Sequence, residues 1–243
     1  MSNRPFLTAR WESLVLLNYE CPQELLTPLL PTGTSLDPLD GVPLVSLVGF
    51  MFRDTRVHGI GLPFHRTFEE VNLRFYVRRR AEDGEVRRAV VFIRELVPRW
   101  IIAAVARRVY NEPYRAVRME HAILLDPAIG GSAEYSWWHR GNRFTMWAAA
   151  AGAAADSAPA SEAEFITEHY WGYTRQHDGS TLEYRVDHPR WLVWNVSDAG
   201  FSGPSESLYG AGFAEILRGK PRSAFLAVGS EVAVYPGRKL DGI

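Results

Sequence analysis

The sequence is poor in cysteine and in lysine. Cys21 is the sole cysteine among 243 residues, which excludes an internal disulfide framework and a zinc site built on clustered cysteines. Of the 27 basic residues only Lys220 and Lys239 are lysines; the rest are arginines. Chemistry that requires an amine nucleophile therefore has two candidates. An excess of one charge is lacking too. The 27 basic residues face 28 acidic ones, a net charge of −1, so there is no global basic field and no nucleic-acid partner is expected. Long apolar runs are missing. Met146 to Ala155, the least polar stretch, is mostly alanine and about half of the ~20 residues needed to span a bilayer. Near the N-terminus, Ser13 to Leu17 is too short for a signal-peptide core. A soluble, cytoplasmic protein without a membrane partner is the expectation.

Catalytic motifs are also scarce. Gly-x-Gly-x-x-Gly, Walker A, His-Glu-x-x-His and Gly-x-Ser-x-Gly do not occur. The seven histidines never fall at i, i+4 on a convincing helix, so neither a metal nor a cofactor is expected.

What is present is aromatic and strand-like. Eight tryptophans and 12% aromatic residues argue for an ordered core. Val42 to Phe52 is a nearly continuous apolar run, as in a strand buried on both faces. Phe68 to Arg78 alternates cleanly, Val86 to Leu96 returns as the second arm of a hairpin, and the turn Glu82–Glu85 joins them. Arg99 to Tyr110 carries the best helical stripe, stopped by Glu112-Pro113. Ala116 to Leu125, Ala133 to His139 and Arg143 to Ala149 read as strands, with Gly130-Gly131 and Gly141-Asn142 as turns. Ala148 to Ala163 reads as a surface loop, and Ser161 with Glu164 as a capping box opening a helix that ends near Tyr170. Leu182 to Val186, Trp191 to Val196, Ser223 to Val228 and Val232 to Tyr235 complete the strands, and Tyr209 to Leu217 reads as a further helix. Strands do not alternate with long helices. The expected fold is therefore α+β, mostly antiparallel and barrel-like, in a single domain over residues 1–243.

The segment Glu70-x-Asn72-x-Arg74-x-Tyr76 is the most informative. Period 2 puts all four side chains on one side of a strand. Arg74 can grip a carboxylate by a bidentate fork, Glu70 can transfer protons or orient that arginine, and Asn72 and Tyr76 offer directed hydrogen bonds. A solvated strand face carries the same residue types; inside a barrel they would line a ligand cavity. A second cluster runs from Arg107 and Arg108 through Pro113-Tyr114-Arg115. Its arginines suit a helix C-terminus, and the same turn would deliver Arg107 and Tyr114 to a cavity mouth.

In order along the chain, Trp11 with Leu14 to Tyr19, Leu29-Leu30-Pro31, Leu36-Asp37 with Asp40-Gly41, the strand Val42 to Phe52, Phe68 to Val77, Ala106-Arg107, Pro113-Tyr114 and Phe165 to Tyr170 resemble the YqjF-like family. The resemblance spans about residues 10 to 236. It implies the acetoacetate decarboxylase type of fold: a cone-like, mostly antiparallel β-barrel with a few helices and an interior cavity. In the decarboxylase a lysine pair follows a proline and forms a Schiff base with the keto acid, while acidic residues and an arginine line the same cavity. Here Pro113 is followed by Tyr114 and Arg115, and neither provides the neutral amine that this chemistry needs.

The residues carried forward are Glu70, Arg74, Tyr76 and Tyr114 as catalytic candidates, and Asn72, Arg107 and Arg115 as ligand-binding ones. The expected function is a small-molecule cavity acting without a Schiff base, as a lyase or hydratase on an oxo- or hydroxy-carboxylate. The alternative is a non-catalytic holder of a metabolite or lipid-like ligand. The decarboxylase relatives assemble into oligomers, which leaves a homo-oligomer open.

Overall fold

The computed structural model describes residues 4–61, 63, 65–100 and 111–240. Sixteen strands dominate among the described residues. They are β1 (Leu7–Glu20), β2 (Ser35–Leu36), β3 (Leu44–Val57), β4 (Ile60–Gly61), β5 (Phe68–Arg80), β6 (Val86–Val97), β7 (Tyr114–Ala116) and β8 (Arg118–Asp126), followed by β9 (Gly130–His139), β10 (Asn142–Ala151), β11 (Ala155–Asp156), β12 (Trp171–Arg175), β13 (Thr181–Asp187), β14 (Leu192–Ser202), β15 (Ser223–Val234) and β16 (Arg238–Lys239). Among the described residues four short α-helices accompany them: α1 (Gln23–Leu26), α2 (Glu162–Thr167), α3 (Glu206–Tyr209) and α4 (Ala211–Arg218). Most of the helix expected over 99–110, with Arg107, lies outside the described residues. No described helix is long and apolar enough to cross a membrane.

The pairings β13–β12–β6–β5–β3–β1–β15 close on themselves through β15–β13, giving a ring of strands. All are antiparallel except β12–β6. From β15 the sheet continues through β14, β10, β9 and β8, and this extension folds over the outside of the ring wall. Two apolar layers result. Val71, Leu73, Phe75 and Val77 of β5 are fully buried in the outer layer with Tyr135, Trp137, Phe144 and Met146 of the extension. Phe50, Phe52, Phe68, Val90 and Trp191 form the inner layer. The clean alternation of β5 therefore separates two buried faces, not a buried face from a solvated one.

Several boundaries differ from the sequence expectation for identifiable reasons. β1 was not foreseen as a strand, because register shifts between Thr8 and Arg10 and between Glu12 and Val15, with Ser13 at φ 57°, break its alternation. Ala148–Ala151 is strand rather than loop: Ala148 and Ala150 turn inward, so pairing with β9 and β14 overrides alanine's weak strand preference. Gly130 and Gly131 begin β9 instead of making the turn; a Cβ on Gly131, at φ 135°, would lie 1.8 Å from the Leu124 carbonyl oxygen. The helix opened by Ser161 stops at Thr167, and Trp171–Arg175 is a strand. The two segments expected within 223–235 are one continuous strand.

Candidate functional site

Inside the ring lies a cavity of about 170 Å³, room for a small molecule rather than a single water. Its walls are aromatic and aliphatic. Phe52 and Phe68 stack at 4.7 Å between centroids, and Trp11 packs on Phe50 at 5.2 Å. At one side the lining turns polar, with Glu70, Asn72, Arg74, Glu95, Glu112, Tyr114, His169 and Tyr184.

Period 2 along β5 delivers Glu70, Asn72 and Arg74 to this lining. Asn72 Nδ2 donates to Glu70 Oε1 at 3.1 Å, and the Tyr114 hydroxyl donates to Glu70 Oε2 at 3.0 Å. Arg74 donates through Nη2 to the Ile166 carbonyl oxygen of α2 at 3.3 Å, while its Nε has no hydrogen-bond partner among the described residues. Asn72 Oδ1 and Glu95 Oε2 are buried and likewise unpartnered. Tyr76 shares the β5 face but sits further along, away from the cavity lining. Its hydroxyl lies 2.6 Å from Ser46 Oγ and its ring packs beneath Phe165 and His169.

Tyr114 arrives from β7, which runs parallel to β6 with Tyr114 opposite Glu95. Asn111, at φ 58°, bends the chain ahead of Pro113. Glu112 and Tyr114, two residues apart, then both turn inward. Arg115 turns the other way, its Nη1 3.2 Å from His139 Nε2 on the outside of the wall. Glu112 accepts a short hydrogen bond from the Tyr184 hydroxyl. Tyr184 reaches it only because its neighbour across the β12–β13 pair is Gly172: a Cβ there would lie 2.2 Å from Tyr184 Cζ.

Three carboxyl groups thus meet in a nearly dry environment. Burial pushes Glu70 up to about 7, against the hydrogen bonds from Asn72 and Tyr114 and the charge of Arg74. Glu112 rises to about 8, by burial first and then by the charge of Glu70. Glu95 rises well above the ordinary carboxylate range through burial and the charges of Glu112 and Glu70. The same causes raise the Tyr114 phenol. Three such groups cannot all ionise together, so the cluster holds protons near neutral pH. His169, also in the lining, is pushed down to about 4, chiefly by burial, and stays neutral. The geometry provides a grip for an anion, a proton donor and acceptor in contact, and an apolar wall beside them.

Glu95 and Glu112 were not among the residues singled out in the sequence. The two lysines stand elsewhere: Lys220 is exposed, and Lys239 Nζ lies 2.5 Å from Asp178 Oδ2 at the surface. No group of histidine, cysteine or carboxylate side chains suited to a metal occurs among the described residues.

The sequence matches the family DUF2071, described as an uncharacterized conserved protein, over residues 8–231. No curated protein matches it. Among solved structures it is similar to an acetoacetate decarboxylase from Legionella pneumophila, with 14% identity, 97% of this chain and 87% of that one covered, and a TM-score of 0.65. It is similar to an acetoacetate decarboxylase-like enzyme from Sphingomonas wittichii RW1, with 12% identity, 100% and 95% covered, and a TM-score of 0.68. The enduracididine biosynthesis enzyme MppR complexed with pyruvate gives 12% identity, 98% and 91% covered, and a TM-score of 0.67. The architecture is of the acetoacetate decarboxylase type.

Proposed function

We propose that this chain, which belongs to the DUF2071 family, binds a small carboxylate with an apolar body in the interior cavity and acts on it by proton transfer. The observation that carries the reading is the Tyr114–Glu70 hydrogen bond of 3.0 Å inside an apolar cavity that Arg74 also lines. The unpartnered Nε of Arg74 is a charge-assisted donor for the substrate carboxylate, and the aromatic wall takes its carbon skeleton. Glu70, poised near neutrality, exchanges a proton with the substrate. Tyr114 holds that carboxyl in place, and Glu95 and Glu112, raised by burial, keep the cluster proton-rich near neutral pH. Lyase or hydratase chemistry on an oxo- or hydroxy-acid suits these groups. The position after Pro113, which carries the amine in the decarboxylase, carries a phenol here, so the reaction proceeds without a Schiff base. MppR's complex with pyruvate supports an oxo-acid as the first class to try.

The test is proton exchange. A panel of 2-oxo and 2-hydroxy acids is incubated with the protein in D2O and followed by proton NMR. The reading expects exchange at the carbon next to the carbonyl or hydroxyl for at least one acid, slowed by ~10²-fold or more in Glu70→Gln. Arg74→Gln should raise the concentration of acid required. Binding without exchange or turnover favours the non-catalytic holder, for which the largely apolar wall speaks.

A further inference from the structure

Behind the carboxyl cluster, on the outer face of the ring wall, the chain assembles positive charge that no carboxylate among the described residues balances. Glu95 and Tyr114 are register partners across β6 and β7 and face the cavity. Their chain neighbours Arg94 and Arg115 therefore share the opposite face. Burial first, and then the charge of the nearby Arg115, hold Arg94 below its ordinary range. Arg94 Nε is buried and has no partner, and neither arginine pairs with a carboxylate among the described residues. Residues 101–110, outside that set, contain no Asp or Glu.

The surroundings hold the arginines in place without neutralising them. Arg115 Nη1 meets His139 Nε2 at 3.2 Å, and His139 is bound on its other side to the backbone of Ser207. Burial first, then the charges of Arg115 and Arg140, keep His139 below its ordinary range, so it orients Arg115 as a neutral acceptor. The Tyr209 hydroxyl of α3, 6% exposed as a residue and also unpartnered, lies within the field of Arg94. A half-buried arginine beside a second one, with a free hydroxyl nearby, is unfavourable unless an anion enters. Guanidinium forks match the oxygens of a carboxylate or phosphate, and a hydroxyl adds a directed donor.

We infer that Arg94, Arg115 and Tyr209 form a second ligand site, on the outer face of the wall, that takes a small dianionic oxyanion of the phosphate type. It is separate from the cavity, and it stands whether or not the cavity is catalytic.

Inorganic phosphate is the probe. Binding is followed by thermal unfolding and by calorimetric titration at constant ionic strength, with chloride as the balancing anion. The wild type should show a saturable rise in melting temperature. That rise should vanish in Arg94→Gln and in Arg115→Gln and persist in Arg74→Gln, whose arginine belongs to the cavity. Tyr209→Phe, which deletes only the hydroxyl, should weaken phosphate severalfold. Where a glutamine variant does not fold, Arg94→Lys and Arg115→Lys carry the test. They keep the charge but lose the fork, and binding should weaken about tenfold or more. No saturable response in the wild type overturns the inference. So does a response that survives both outer-face variants, or one that Arg74→Gln abolishes.

Discussion

Replacing Glu70 by Gln should flatten the pH dependence of folding stability. Burial, opposed by Asn72, Tyr114 and Arg74, raises this carboxyl from 4.5 to about 7 in the folded protein. In the unfolded chain it titrates at its ordinary value. Between those two values the folded state keeps a proton that the unfolded state has released, so the free energy of unfolding falls as pH rises. The contribution is complete below the unfolded value and is lost as pH passes through about 7. At ~1.4 kcal/mol per pH unit it amounts to about 3 kcal/mol. Glutamine retains the acceptor for Asn72, and the Tyr114 hydroxyl can turn to accept from the new amide. Removing the Glu70 charge also relieves Glu95 and Glu112, which it raises, so the flattening is reinforced. Urea unfolding from about pH 4 to about pH 8 is the assay. The wild type should lose about 3 kcal/mol more than the variant across that range. Parallel curves for the two proteins would refute the claim that Glu70 is held in a dry, acidic cluster.

Three further outcomes follow from the same geometry. Gly172→Ala puts a methyl 2.2 Å from Tyr184 Cζ and should lower stability by about 1–3 kcal/mol in thermal unfolding, while displacing the hydroxyl that supports Glu112. Glu183 is fully buried between Arg87 at 2.7 Å, Arg238 at 3.4 Å and Arg79 at 3.5 Å, with the Tyr173 hydroxyl at 2.8 Å. Glu183→Gln removes the buried charge that faces Arg79, Arg87 and Arg238, of which Arg87 keeps Glu85 at 2.9 Å, and should cost about 3–5 kcal/mol in urea unfolding. Borohydride reduction in the presence of a 2-oxo acid should give no lysine adduct by mass spectrometry; an adduct on Lys220 or Lys239 would restore amine catalysis as a candidate.

The polar face of β5 is readable from the sequence, because alternation needs only the residue types. Whether that face meets water or a cavity is not readable. It depends on the extension from β14 to β8 covering Val71, Leu73, Phe75 and Val77, and on a ring closed between strands distant in sequence. Glu95 escapes sequence reading because a bulge on β6, opposite Leu73 and Arg74, resets the inward parity along that strand. Glu112 is read as a helix stop beside Pro113. Its spacing of two from Tyr114 was the signal available, and it becomes meaningful only once Asn111 turns the chain. Tyr76 and Arg115 show the converse. The first shares the right face but lies beneath α2, and the second follows the right proline but faces outward.

The central claim is that the interior cavity holds a small carboxylate through Arg74. Trp11, Trp171 and Trp191 line that cavity and report on its occupancy, so fluorescence titration with pyruvate and longer 2-oxo acids tests the claim most directly. The account predicts a saturable change in the wild type that is strongly weakened in Arg74→Gln and unaffected in Arg115→Gln. No response from any acid in the wild type, or equal affinity in Arg74→Gln, would contradict it.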